Sequence, residues 1–308
     1  MNRGMMRTLA MGLVIGLVMV ALGLLMGGRT SLSVDWKGVH VPSGKPEKLI
    51  VEEQLAFDEM VINVSVANVI VTRGDRFSIK AEYHDGIKPS YSLSGGVLKI
   101  EDDGARAFKL NFGFFNPGNR VEVTLPGRRL ERAEIRSEVG DVKLNGVEAG
   151  TLTLHTSTGD MGVNGVSCDQ LYGNAGVGDI RLDSSAARLV DMRAGTGSIT
   201  GKSLTFDEGK FDCGVGDGTL AAISSGKLYL HSGTGSVSAH GELRGESRVT
   251  SGVGSVEVTT SLPRSDYRVQ AHAKLGKVWL KPEGGADNGP HTLIMESGVG
   301  SVSCEFSR

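Results

Sequence analysis

The chain holds 308 residues, among them 45 glycines, 8 prolines and 3 cysteines, with 39% apolar and only 5% aromatic residues. Glycine at about twice its usual share without matching proline excludes collagen and Pro/Gly-rich disorder, and three cysteines cannot frame a disulfide-stapled domain. The formal net charge is −2, and the body after residue 29 is more acidic still and has no basic block, which argues against nucleic acid as a partner.

From Thr8 to Gly28 the chain carries no charge. At about 1.5 Å per residue such a helix spans roughly 30 Å, one hydrocarbon core. Arg3 and Arg7 precede it and Arg29 alone follows. The positive-inside bias then predicts a single-pass anchor over residues 1–29, with the N-terminus cytoplasmic and the rest extracytoplasmic, at the cell membrane. The alternative is a cleaved secretory signal, but no Ala-x-Ala-like site follows the apolar run. Gly12, Gly16, Gly23 and Gly27 fall on one narrow stripe of this helix. Small-xxx-small steps let membrane helices approach closely, so the stripe predicts pairing with a second copy or another membrane protein. The competing reading is that glycine is simply frequent in membrane helices.

Residues 30–48, with Pro42 and Pro46, read as a short stalk. Residues 49–130 read as a β-rich section, through alternating runs at Val61–Val66, Val69–Thr72, Phe77–Ala81, Val97–Ile100 and Val121–Leu125. Gly74-Asp75, Gly95-Gly96 and Asn116-Pro-Gly-Asn119 supply its turns.

Residues 131–308 are dominated by a repeat: small–Gly–Val/Thr–Gly–Asp/Ser–Val/Ile. Its second glycine falls at 140, 159, 178, 197, 216, 235 and 254, each step being 19, and looser copies follow at Gly276 and Gly300. Seven and five residues before that glycine stand apolar pairs such as Leu152/Leu154, Val190/Met192 and Leu228/Leu230. Three before it the residue is small (Ser137, Thr156, Ala175, Ala194, Cys213, Ser232, Ser251), and the intervening positions are polar. After the glycine a second alternating strand starts, as in Val142/Leu144 and Ile180/Leu182, with the buried parity shifted by one. The glycine therefore marks a corner. Each repeat reads as two strands and two turns that cannot bury an inner face alone. Stacking at about 4.8 Å predicts an all-β fold: a parallel β-solenoid, or β-helix, of about nine 19-residue rungs, roughly 40 Å long. The preceding β-rich section is expected to cap its first rung.

The order Val69-Ile-Val-Thr-Arg-Gly-Asp75, then Val121-Glu-Val-Thr-Leu-Pro126, then Gly-Asp-Val and Gly-Ser-Val rungs resembles the bacterial putative-adhesin family of β-strand-repeat proteins, related to the auto-transporter adhesin head GIN domain. The resemblance covers about residues 50–308. It implies an extracytoplasmic β-solenoid, often behind a membrane anchor, and brings no catalytic residues and no cofactor.

Candidate chemistry centres on the column after the corner glycine. Asp141, Asp160 and Asp179 lie in adjacent rungs, roughly 5 Å apart. That spacing suits a divalent-cation stripe or a retaining glycosidase pair. The favoured reading is turn chemistry, in which Asp or Ser side chains accept from free backbone N–H groups at the bend. Exchange with Ser198, Ser236 and Ser255 in later rungs supports it, and no metal is expected. His155, His231 and His272 share one outward column but stand roughly 10 Å or more apart, too far for one metal centre. Cys168, Cys213 and Cys304 occupy different columns and read as small hydrophobes. Tyr172 and Tyr229 point outward three rungs apart, a weak basis for sugar stacking, and Asn63-Val-Ser65 fits a glycosylation sequon within a strand.

The sequence thus predicts a membrane-anchored, non-enzymatic binding or scaffold element of the bacterial envelope, with a polysaccharide or protein as ligand. The competing classes are a β-helix carbohydrate-active enzyme and a self-assembling scaffold that uses the stack's open strand edges.

Overall fold

The computed structural model describes residues 32–35, 38–40, 46–84, 87–104, 110–112, 118–283 and 288–307. The expected anchor and its stripe, Gly12, Gly16, Gly23 and Gly27, lie outside them. Among the described residues no helix is long and apolar enough to cross a membrane. Within the expected stalk, strands Leu32–Asp35 and Gly38–His40 pair antiparallel and, with Leu110–Phe112, form a small separate sheet.

The remaining strands form one solenoid-like stack, all-β and mainly parallel. Successive repeats pair in register. Ile135, Leu154, Gly173, Met192, Phe211, Leu230, Val249, Met295 and Ala271 stand over one another in a single column. The column order shows that the last two rungs are not stacked in chain order. His291–Val299 and Val302–Ser307 slot between the rung of Gly254 and the rung formed by Tyr267–Leu275 and Val278–Lys281. The C-terminal strands are therefore interior, and residues 267–281 close the stack.

The stack also begins before residue 131. Glu59–Val66 and Asn68–Arg73 pair in parallel with Arg129–Val139 and Val142–Asn145, so they form a rung with Ala67-Asn68 in place of Gly-Asp. Beyond it lies a split rung of Val97–Asp102 and Arg120–Leu125. Antiparallel strands Pro89–Ser94, Ser78–Tyr83 and Glu47–Val51 then cover that end, so only part of the expected capping section caps and the rest is stack.

Each regular repeat contains two strands, such as Glu148–Thr158 and Met161–Asn164. The longer one bends, however. Its buried residues are Ala149, then Leu152, Leu154 and Thr156, so parity shifts at Gly150-Thr151 as well as at the two expected corners. A rung accordingly has three inward faces. The core they enclose is aliphatic along most of its length, and glycine inside it compensates for bulk, as where Gly209 makes room for the Phe206 ring.

The corner glycine is required by both conformation and space. At Gly178, φ is 146°, and an added Cβ would lie 2.6 Å from the Gly159 carbonyl carbon and nearer still to its oxygen. Neighbouring rungs approach too closely here for any side chain. Ala67 is tolerated in the same column because Asn119, not another corner, lies beneath it. The Asn119 carbonyl accepts from Asn68 N at 2.9 Å, and its side-chain amide donates to Val66 O at 2.8 Å.

Candidate functional site

The column after the corner glycine is a hydrogen-bonded ladder. Asn68 Oδ1 accepts from Asp141 N at 2.9 Å, Asp141 Oδ1 from Asp160 N at 3.0 Å, and Asp160 Oδ1 from Asp179 N at 2.9 Å. Asp179 Oδ1 accepts from Ser198 N at 2.9 Å and Ser198 Oγ from Asp217 N at 3.1 Å. Asp217 Oδ1 and Ser236 Oγ continue to Ser236 N and Ser255 N, at 2.7 and 3.2 Å. The corner N–H points along the stack, where the strand ladder offers it no carbonyl, so a short side-chain oxygen from the rung below is its natural acceptor. Aspartate and serine interchange freely because either supplies that one oxygen.

The ladder places Asp141, Asp160 and Asp179 in successive rungs. Their second oxygens face cations: Asp141 Oδ2 lies 3.3 Å from Lys143 Nζ, and Arg181 reaches both Asp179 at 2.9 Å and Asp160 at 3.5 Å. Each carboxylate thus bridges a backbone donor and a basic side chain. Among the described residues no group of three or more His, Cys, Asp or Glu side chains is placed to hold a metal.

A second ladder runs through the small column. Ser137, Thr156, Ser232, Ser251 and Ser297 donate their hydroxyls to corner carbonyls of the preceding rung, at 2.7 to 3.0 Å. These groups are buried, and the bond repays their desolvation. At the capped end, Asp102 accepts from Ser65 N and Oγ, Tyr83 OH and Gly104 N, at 2.8 to 3.1 Å. Burial, followed by the Asp102 charge, raises the Tyr83 phenol well above its ordinary pKa.

The other candidate residues stand apart. His231 Nδ1 lies 2.9 Å from Thr250 Oγ1, and His155 Nε2 lies 3.5 Å from Ser157 Oγ. Tyr229 carries Lys210 over its ring at 5.8 Å, whereas Tyr172 bonds Gln170 at 3.4 Å. Asn63 is exposed on its strand. Cys168, Cys213 and Cys304 are buried and free. Burial pushes their thiols up, to about 12, 11 and 12, so they remain protonated and unreactive near neutral pH.

Two surfaces escaped the sequence reading. The residue before the corner glycine forms an exposed row along the stack, Val139, Val177, Val215, Val253, Val299 and Leu275, between 42% and 64% exposed. Thr158, Thr196 and Thr234 alternate with it. The Val/Thr alternation within the motif was its signal. The second surface is the closing rung, where Leu275, Val278 and Trp279 are exposed; only its rung order reveals it.

A three-faced parallel stack, joined by side-chain ladders and capped by antiparallel strands, defines an all-β, solenoid-like repeat protein. The chain belongs to the Toastrack DUF4097 family, whose model matches residues 57–278. No match to a curated protein was found. Among solved structures, a "putative adhesin" from Bacteroides fragilis is 18% identical, with 85% of this chain and 98% of that one covered and a TM-score of 0.46. A "putative adhesin" from Parabacteroides distasonis is 12% identical, with coverages of 85% and 98% and a TM-score of 0.43. A "putative lipid binding protein" from the same species is 13% identical, with coverages of 87% and 98% and a TM-score of 0.33.

Proposed function

We propose that the protein is a non-enzymatic binding element of the bacterial envelope, anchored by residues 1–29 and presenting its stack outside the membrane to a polysaccharide or protein ligand. The ladder carries this reading. Asp141, Asp160 and Asp179, the best candidates for chemistry, each accept a backbone N–H from the next rung. Their cationic neighbours, Lys143 and Arg181, occupy the remaining oxygens. The outward rows then remain for recognition, and their in-register repeat from rung to rung suits an extended polymer. In this reading the glycine stripe of the anchor pairs with a second copy or with another membrane protein, and pairing of copies would raise avidity for a weakly bound polymer.

The test uses the full-length protein in membranes with purified envelope polysaccharides. Retention without new reducing ends is expected. Release of reducing ends that disappears in Asp160→Asn would overturn the reading in favour of a glycosidase. Replacing Gly16 and Gly23 with Ile should sharply lower cross-linking between copies; unchanged cross-linking reduces the helix to a plain anchor.

A further inference from the structure

A cavity of about 180 Å³ opens on the side of the stack, away from the carboxylate ladder. Trp279 and Lys281 of the closing rung line it, with Ser303 and Glu305 of the rung beneath and Glu257 and Thr259 of the rung below that. Register sets these six in two columns: Trp279 over Ser303 over Glu257, and Lys281 over Glu305 over Thr259. The residues that alternate with them, Val256, Val258, Val302 and Cys304, are buried, so both columns face outward. Trp279, 48% exposed, therefore does not cover the core; it stands in a polar column on the surface.

The polar groups here lack the partners found on other sides of the stack. Glu134 lies 2.6 Å from both Arg132 and Arg136, and Asp191 lies 3.0 Å from Arg193. Among the described residues, Glu257, Glu305 and Lys281 form no ion pair and the Trp279 indole no hydrogen bond, although Lys281 stands directly across from Glu305. The cavity thus offers an indole, two carboxylates, an ammonium and two hydroxyls. Drug-sized ligands need roughly 300–1,000 Å³, so this smaller space suits a single ring.

We propose that this cavity binds one amino-bearing pyranose residue of an extended polysaccharide. The indole stacks on the apolar C–H face of the sugar ring. Carboxylates only accept, so Glu257 and Glu305 take the sugar's ammonium and hydroxyl donors, while Lys281 donates to a hydroxyl or glycosidic oxygen. Two carboxylates against one ammonium leave a negative charge that a cationic sugar neutralises and a uronic acid opposes. Thr200, Thr219 and Ser238 continue the Glu257 column along three more rungs, as far as Arg181, and give the rest of the polymer an uncharged hydroxyl track. The assignment rests on the binding function proposed above and names its sugar class and site.

The chain has two tryptophans, so Trp36→Phe leaves Trp279 as the single indole reporter. The probes are β-1,4-linked hexamers of glucosamine, glucose and galacturonate, added to the full-length protein in phosphatidylcholine vesicles. Trp279 emission and titration calorimetry provide the readouts. Expected are saturable, salt-weakened binding of the glucosamine hexamer with blue-shifted emission, about tenfold weaker binding of the glucose hexamer, and none of the galacturonate hexamer. Trp279→Ala should weaken the glucosamine hexamer at least tenfold, whereas Tyr172→Ala, several rungs away, should leave its affinity unchanged. Glu257→Gln with Glu305→Gln should erase the preference for glucosamine over glucose while the glucose hexamer still binds, a change that lost folding would not produce. Unchanged affinity in Trp279→Ala, equal binding of the galacturonate hexamer, cleavage of a hexamer that disappears in Glu305→Gln, or self-association through Trp279 in place of sugar binding would overturn the proposal. If Trp279→Ala still retains the envelope polysaccharides that the parent retains, this site fails and the broader function stands. If the parent binds the glucosamine hexamer but retains no envelope polysaccharide, the envelope role fails and the sugar site stands.

Discussion

Gly178→Ala tests the corner most directly. The new methyl would sit 2.6 Å from the Gly159 carbonyl carbon, a backbone atom held by its own rung. Ordinary contact lies near 3.4 Å or beyond, so the rungs must separate locally. That movement would stretch the bond from Gly159 N to Val177 O, 2.9 Å, and the Asp179–Asp160 ladder bond. A backbone conformation reserved for glycine costs about 1–3 kcal/mol, and overpacking a tight site about 1–3 kcal/mol more. The expected loss is therefore about 2–6 kcal/mol, a large share of the roughly 5–15 kcal/mol typical of a folded domain. Because repeat stacks are stabilised by nearest-neighbour interfaces, the damage should also uncouple the two halves. Urea unfolding of the full chain, followed by far-UV circular dichroism, should show an early or split transition. Ala67→Gly in the same column is the control: it removes one buried methyl and meets no backbone, costing about 1 kcal/mol without splitting. A Gly178→Ala midpoint indistinguishable from the parent would refute the steric argument.

Asp160→Ala should cost about 0.5–1.5 kcal/mol by stranding the Asp179 N–H, Asp160→Ser should cost less, and thermal melts with and without chelator should coincide. Ala222, exposed with φ at 53°, holds a left-handed conformation that the equivalent Gly146 and Gly165 adopt freely, so Ala222→Gly should raise stability by up to about 1 kcal/mol in urea melts. The native thiols should resist iodoacetamide at pH 8 and react fully in denaturant. Their folded pKa values of about 11 to 12 exceed the unfolded value near 8.5, so the folded state retains more protons in that window. Stability should then fall as pH rises above about 8.5, by at most roughly 1.4 kcal/mol per unit for each thiol; a flat profile would contradict their burial.

The sequence made most of the stack legible because its rungs repeat the same steric problem. A glycine every 19 residues, a small residue three before it and an apolar pair before that are each set by contact with an identical neighbour. Where the neighbour differs, the pattern disappears. Ala67 hid the rung at Glu59–Arg73, because Asn119 beneath it removes the steric demand that marks the other corners. The third face was hidden differently: the bend at Gly150 shifts parity inside a continuous strand, and no conformational signature comparable to the corner glycine repeats there. The carboxylate column was readable as turn chemistry from its Asp/Ser exchange. That each oxygen serves the next rung, not its own turn, required the register.

Rung order could not be read from spacing, since steps of 22 and 24 around Gly276 fit either arrangement. The columns explain the arrangement found. From Asp141 to Ser236, each rung supplies a side-chain oxygen to the corner N–H of the next rung. The Gly300 repeat does so: Ser297 donates to Gly254 O, and Ser301 receives Lys277 N. The Gly276 repeat donates its corner N–H to Ser301 but carries Lys277 where a side-chain oxygen would serve a further rung, which suits the edge. In this order the chain joins the outermost rung to interior strands on both of its sides, Val256–Pro263 before it and His291–Val299 after it. Tyr267 secures one tether: its hydroxyl donates to Leu243 O at 2.7 Å and lies 2.6 Å from Thr260 Oγ1. Arg264 secures the same crossing by donating to Tyr267 O at 2.9 Å while lying over the Phe306 ring. The closing rung is thus fastened at Tyr267 to the strands beneath it.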